Sequence, residues 1–551
     1  MTKKRSYLQF MFSFKGFCIF FAVLLTLGAF LWCQSWFTDQ PVRISKETTF
    51  ITEPLTADGT EVDYFKAMEL QTYPPEMQTD DNGYRLLARS LVVDKNATPH
   101  RHETRYQKLG LDPILDKPTM EYETVREYLK RVFPEKDYHK IENDLLQSAW
   151  TIEQHPFMQQ WIDDNDAALD IFLEASRKPV FVWPWIAPEP EDDYYYLILP
   201  DIDFVSQLVR GIVTRANYRI GKGDIDGAID DVIACCKIGR HTEKQGLCVP
   251  CHIGIRFETW GNGIGINGNS DTPATEEQLL RFIREIRKLP EQGNYKDSII
   301  LERYHLLKLL YQVKNAIKTG NFKPLDNVTP AVVLILPVGS YDWNYLFKWT
   351  NEVIDKYFYE GDYILYSHGG GVSDFLSKKS RSEFLVRAYL SIPAIETLKN
   401  AYNQIYCKAN LKQLITAMLI YERKTGNLPP VNTFDAAGNP LHSWRALLLP
   451  YLEDEELQKI YEQIRLDEPW DSPHNQQFHE LNISVYRCPE LKSADGFADY
   501  VMLTDSDTLI AEREGDCWMK PDVEIDVNTL HSIHGFTVKK SGSVISPNPP
   551  R

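Results

Sequence analysis

Positive charge is what this sequence is short of. Sixty Lys and Arg stand against 77 Asp and Glu, for a formal net charge of −17 and an isoelectric point near 5.3. Nucleic-acid affinity rests on neutralising phosphates, so this balance excludes nucleic acid as the main partner. A Gly-x-Ser-x-Gly nucleophile elbow is missing from all 551 residues, which removes the esterase reading of His368-Gly369-Gly370-Gly371. Neither His100-x-His102 nor His531-x-x-His534 has a Cys, Asp or Glu set at metal-ligand spacing beside it, so these read as solvated loop histidines. No metal or other cofactor is expected. Compositional bias is lacking too: 43% hydrophobic and 25% charged residues exclude a mostly disordered or collagen-like chain.

Long hydrophobic runs are absent with one exception. Residues 331–338 are only eight long and contain Pro337, which suits a buried strand or short core segment. Residues 16–38 are 23 in a row without a charge, and about 20 suffice to span a bilayer core. Trp32, Trp36 and Phe37 gather at the far end, where amphipathic rings favour the interface, and Lys3, Lys4, Arg5 and Lys15 lie ahead. The bulky Phe30-Leu31-Trp32-Cys33 stretch does not resemble a signal-peptidase site, so the run reads as an uncleaved signal anchor. The expectation is a single-pass protein of the cell membrane, N-terminus cytoplasmic and bulk extracytoplasmic, touching membrane lipid through this helix.

A chain of 551 residues exceeds the roughly 100–200 of one domain, so several folded units are expected. Residues 1–15 read as a cytoplasmic tip, 16–38 as the anchor, 39–60 as a linker and 61–385 as a mainly helical domain. Val125, Leu129 and Val132 recur at helical spacing, as do Ile141, Leu145 and Ala149. Thr275-Glu276-Glu277-Gln278 is a capping box opening a helix that stops near Pro290. Two amphipathic helices between 204 and 240 meet at Gly221-Lys222-Gly223-Asp224 and read as an antiparallel pair. A long helix is predicted from Pro393 to Lys424 with Gly426 just past its end. Beyond it come short strand signals: Ile483 and Val485, Tyr500 to Leu503, Thr508 to Ile510, and a 536–545 hairpin turning at Ser541-Gly542. The predicted fold class is therefore α+β: an N-terminal transmembrane helix, a helical middle domain and a C-terminal domain of one long helix plus a small antiparallel sheet.

Ordered motifs populate the last third. Cys407-Lys408-Ala409-Asn410-Leu411-Lys412-Gln413 is followed by Ser443-Trp444-Arg445, Pro450-Tyr451-Leu452, Pro469-Trp470-Asp471, Cys488-Pro489, Asp499-Tyr500-Val501 and Trp518-Met519-Lys520-Pro521-Asp522. His531 and nine further residues lead to Ser541-Gly542. This order resembles the planctomycete pseudopilin-like family of unknown function with a C-terminal His, nine-residue, Asp-Gly signature. The resemblance implies a pilin-like α+β domain over 386–551 and no established activity. Two departures stand out: Ser541 replaces the Asp, and no hydrophobic leader directly precedes the motif cysteine. Cys407 with Cys488 suits a disulfide in an oxidising compartment.

Two further patterns invite chemistry. Cys248-Val249-Pro250-Cys251-His252 has the form of a c-type haem attachment site, two thiols and a histidine for iron. It occurs once and has no identifiable second axial ligand, so a structural or disulfide role is favoured. Gly263-Ile264-Gly265-Ile266-Asn267-Gly268 has dinucleotide-site spacing without a strand before it, and reads as an interhelical loop. With no coherent catalytic set, the expected function is a membrane-anchored extracytoplasmic protein that binds or builds within the cell envelope, with envelope proteins as partners. The alternatives are an extracytoplasmic enzyme, redox or haem-c-linked through Cys248–His252, and a secretion or pilus-type pseudopilin.

Overall fold

The capping signal at Thr275 is closed from both sides in the computed structural model. Thr275 Oγ1 accepts from the Gln278 amide at 3.2 Å, and Gln278 Oε1 accepts from the Thr275 amide at 2.9 Å. Two of the orphan donors at the helix start are thus satisfied, and the helix Glu276–Arg287 buries Leu279, Phe282, Ile283 and Ile286. Thr124 and Glu127 start Val125–Val132 in the same way. The structure describes residues 38–93, 98–134, 138–186, 199–266, 272–293, 295–320, 341–355, 392–488, 496–501, 511–517, 537–538 and 544–545.

In chain order the described helices are α1 (Tyr64–Thr72), α2 (Gly83–Ser90), α3 (Pro99–Lys108), α4 (Val125–Val132), α5 (Tyr138–Gln147) and α6 (Met158–Arg177). They continue with α7 (Leu199–Gly221), α8 (Ile225–Glu243), α9 (Cys248–Gly263), α10 (Glu276–Arg287), α11 (Tyr295–Thr319) and α12 (Trp343–Ile354). The last are α13 (Ile392–Thr425), α14 (Trp444–Leu448) and α15 (Glu455–Gln463). Strands are confined to the tail: β1 (Asn432–Phe434) pairs with β2 (Pro440–Ser443), β3 (Phe497–Val501) with β4 (Ala511–Cys517), and β5 (Thr537–Val538) with β6 (Val544–Ile545), all antiparallel.

The chain divides into two compact units. One comprises 1–71, 187–197 and 298–392. In it Tyr64 of α1 packs on Tyr304 of α11 with ring centroids 5.8 Å apart, and Tyr311 packs on Phe347 of α12 at 4.7 Å. Tyr64 Oη donates to the Thr49 carbonyl at 2.6 Å, which lets a phenol be buried without an orphaned hydroxyl. Lys314 and Lys318, one helical turn apart on α11, clamp Asp39 at 2.7 and 2.9 Å.

The other unit comprises 72–186, 198–297 and 393–551. The predicted antiparallel pair is α7 and α8, joined by a turn in which Gly223 sits at φ +83°, a conformation glycine adopts without a Cβ clash. Asp224 then caps α8 by accepting from the Gly227 amide at 3.1 Å. Helices α8 and α9 cross at Gly239 and Gly254. A Cβ on Gly254 would lie 2.5 Å from the Gly239 carbonyl oxygen, so the close approach needs glycine. Helix α13 begins one residue before the predicted span and ends one after it, and Gly426 follows at φ +81°.

Two expectations are corrected here. The fold class is not α+β but mainly α, with 61% helix and only 5% strand. The tail's strands form three separate two-stranded ladders rather than one sheet. Ile483 and Val485 belong to no strand: Ser484–Tyr486 is a 3-10 turn, because its backbone carbonyls are taken by a side chain of α13 rather than by a neighbouring strand. The 537–545 pairing does form, while its Ser541-Gly542 turn lies outside the described residues. The N-terminal transmembrane helix is also not supported. Among the described residues no helix is long and apolar enough to cross a membrane, since the long ones carry charged faces, and positions 16–37 lie outside those residues.

Candidate functional site

Helix α13 carries the Cys407 to Gln413 motif, and four of its side chains act as ties. Cys407 Sγ lies 2.9 Å from Cys488 Sγ, both buried and both thiols. Asn410 Nδ2 donates to the carbonyls of Ser484 (3.2 Å) and Arg487 (3.0 Å), which holds the 484–486 turn against the helix. Leu411 is buried. Lys412 Nζ donates to the carbonyls of Gly261 (3.2 Å), Asn262 (2.9 Å) and Ile264 (2.9 Å), at the C-terminus of α9. A cation belongs there: the last-turn carbonyls lack intrahelical partners and form the negative end of the helix dipole. Burial pushes the Lys412 amine down to about 8, still on the charged side at neutral pH.

Gln413 takes no such part. With Tyr402, Tyr406, Ala409 and Asn410 it forms one stripe on α13, stepping by three and four, along one wall of a cavity of about 490 Å³. Arg240, Ile286, Arg287, Leu289, Glu291 and Gln292 form the facing wall, and Ser484 and Val485 close the end. The volume is that of a small-molecule pocket.

A buried carboxyl pair lies behind the facing wall. Glu258 Oε1 accepts from Arg240 Nε at 2.9 Å and its Oε2 from Gln292 Nε2 at 3.2 Å. Glu243 has only the Gly293 amide, at 2.9 Å on Oε2, and its Oε1 is buried without a partner. Desolvation and the facing Glu258 hold the Glu243 carboxyl well above the usual range, so it is the member that keeps a proton. The unfolded chain gives up that proton near pH 4.5, whereas the folded chain retains it. Stability is therefore fully present below that pH and falls as pH rises toward the folded value, by at most about 1.4 kcal/mol per pH unit from this group. Glu243→Gln, an isostere of the protonated acid, is expected to flatten this slope, read by urea unfolding between pH 5 and 8. An unchanged slope means that Glu243 is ionised in the fold.

The remaining motif residues build the tail. Trp444 is buried and meets Tyr486 edge-on at 6.1 Å, and Tyr486 Oη donates to the Arg445 carbonyl at 2.8 Å. Pro450 lies in the turn Leu449–Tyr451 that follows α14. Trp470 stacks on His479 at 4.8 Å, and His479 Nε2 reaches the Trp470 carbonyl at 2.9 Å. The Cys488 amide donates to Asp499 at 2.7 Å.

Residues 404–524 match a family model. Its description is a protein of unknown function (DUF1559). The match contains Cys407, Asn410, Lys412, Gln413, Trp444, Trp470 and Cys488 and stops before His531, so the His, nine-residue, Asp-Gly signature is not part of it. No curated protein and no solved structure matches the chain. The DUF1559 segment supplies one wall of the pocket and its closed end, and residues 240–292 supply the other wall.

The structure places the other candidates apart from this segment. Cys251 is buried with Ile255 against Ile405, Ala401 and Tyr402. A porphyrin bonded to that sulfur would occupy space these side chains fill, so the residues do not fit a c-type haem; the Cys248 side chain lies outside the described residues. His252 is partly buried on α9, where burial and Arg256 lower its pKa. Gly263 ends α9, so the glycine-rich pattern begins at a helix C-terminus, whose carbonyls repel phosphate. His100 and His102 stand on α3 rather than in a loop, and His102 stacks on Tyr106 at 4.5 Å. Among the described residues no three His, Cys, Asp or Glu side chains form a metal-binding group. Pro489, Trp518, Pro521, His531, Gly542 and the 368–371 stretch lie outside the described residues. Sequence reasoning missed Arg240, Glu243 and Glu258. Their signal was charge at positions that α8 and α9 bury.

Proposed function

We propose that this chain is a noncatalytic binding protein of the cell envelope, with its bulk on the extracytoplasmic side and the pocket beside α13 as its binding surface. The observation that carries the reading is the composition of that pocket. Polar and aromatic side chains converge there, yet its lining contains no histidine, cysteine or lysine and only one carboxylate, Glu291. A nucleophile with an oriented base, or a pair of acid and base carboxyls, has no place to stand. The extracytoplasmic assignment is supported by Cys407 and Cys488, whose sulfurs meet in a buried position on segments far apart in sequence.

The test of binding is native mass spectrometry of the full chain equilibrated with the small-molecule fraction of an envelope digest. The expected result is a retained ligand that Gln413→Trp displaces while the chain stays folded. Consumption of a compound from that fraction, with turnover, would replace the binding reading by an enzymatic one. For the compartment, the expected outcome is a Cys407–Cys488 disulfide in chain taken from cells under alkylation, its mass two hydrogens below that of the reduced form. Both cysteines alkylated without prior reduction would place the bulk in a reducing compartment.

A further inference from the structure

We infer that the pocket beside α13 takes a neutral, hydroxyl-rich ligand of saccharide size, an assignment that rests on the binding reading above. The cations of the pocket are already engaged. Arg240 donates to Glu258 at 2.9 Å and to the Pro290 carbonyl at 2.6 Å. Arg287 donates to the Leu452 carbonyl at 2.9 Å and pairs with Asp454. An anionic ligand would have to displace one of these bonds and would meet the Glu291 carboxylate, which has no ion pair among the described residues. Anions are therefore disfavoured by both counts of charge.

Acceptors are in surplus. Gln292 Oε1 is buried without a donor, and the Glu291 carboxylate lines the same wall. An orphaned buried acceptor costs about 1–3 kcal/mol, which a hydroxyl donor recovers and a hydrocarbon does not. Tyr402 and Tyr406, one turn apart on α13, add flat apolar surface beside the small Ala409, where the C–H faces of a sugar ring pack. The Gln413 amide and the Tyr406 hydroxyl make no hydrogen bond among the described residues, which leaves both a donor and an acceptor for a ligand. Ring-stacking surface, amides and a carboxylate, with neutralised cations, are a combination that recognises hydroxyls rather than charge.

The experiment uses the full chain and two neutral panels, linear trisaccharides and uncharged blocked tripeptides, read by saturation-transfer NMR and calorimetry. The expected result is saturable binding of at least one trisaccharide, insensitive to salt and weakened about tenfold or more by Gln413→Trp, which fills the cavity. Tyr406→Ala, which removes a ring without adding bulk, weakens the same ligand and serves if the tryptophan variant does not fold. Binding of a tripeptide but no trisaccharide, abolished by the same variants, overturns the saccharide assignment and leaves the binding reading standing. Binding of neither panel, with no ligand retained from the envelope digest, overturns both. Trisaccharide binding unaffected by either variant places the site elsewhere and overturns the assignment.

Discussion

Asp231→Ala is expected to destabilise the helical unit by about 4 kcal/mol, the loss typical when one partner of a buried ion pair is removed. Asp231 of α8 is buried and grips Arg215 of α7 with both oxygens, Nε to Oδ2 at 3.1 Å and Nη2 to Oδ1 at 2.7 Å. The same guanidinium reaches Asp166 (2.7 Å) and Asp170 (2.8 Å) on α6, and Arg219 joins Asp231 at 3.0 Å. Three helices are thus braced by one buried arginine. The pair need not be stabilising by comparison with an apolar core; the penalty arises because Arg215 is left desolvated without its bidentate partner. Asp231→Asn keeps the shape and an acceptor and is expected to cost less. Urea unfolding of the full chain measures both, and a loss below about 1 kcal/mol for Asp231→Ala would show that Asp166 and Asp170 suffice to hold the arginine.

Lys412→Met is expected to cost about 3 kcal/mol, because it leaves three carbonyls at the end of α9 without the charged donor that now satisfies them. The stem of the side chain packs near Phe282, with Nζ 5.0 Å from the ring centroid, and methionine retains that packing. The loss should therefore report the ammonium rather than the hydrocarbon. Its local signature is faster amide exchange over the last turn of α9, in the same unit as α13. A variant as stable as the parent, with unchanged exchange there, would mean that the three hydrogen bonds carry no net free energy.

Much of the helical architecture was legible from consecutive residues. The Thr275–Gln278 box, the Gly221–Asp224 turn and the long helix ended by Gly426 all rest on interactions within a few positions of one another. The motif cysteine, asparagine and lysine were visible as residue types, but their roles were not. Asn410 acts on carbonyls more than 70 positions away, and Lys412 on carbonyls about 150 positions before it. The strand expected around Ile483 and Val485 failed for the same reason. Alternating burial there comes from a turn pinned by Asn410, not from a ladder partner, and a local pattern does not distinguish the two. The charged residues Glu243 and Glu258 sat among apolar neighbours in the sequence, yet only their meeting across the Gly239–Gly254 crossing makes one of them hold a proton.

By itself, then, the sequence determined the acidic balance, the helix boundaries that caps and glycines enforce, and the likeness of the tail to DUF1559. These are properties of composition and of neighbours in the chain. Tertiary structure alone decided the fold class, by leaving the tail's strands in isolated pairs, and it alone made the pocket. The walls of that cavity come from residues 240–292 and 402–413 and its end from 484–485, segments that approach only when α8, α9 and α13 bury their apolar faces together. That packing is a long-range balance of burial against chain entropy, which no short window of residues records.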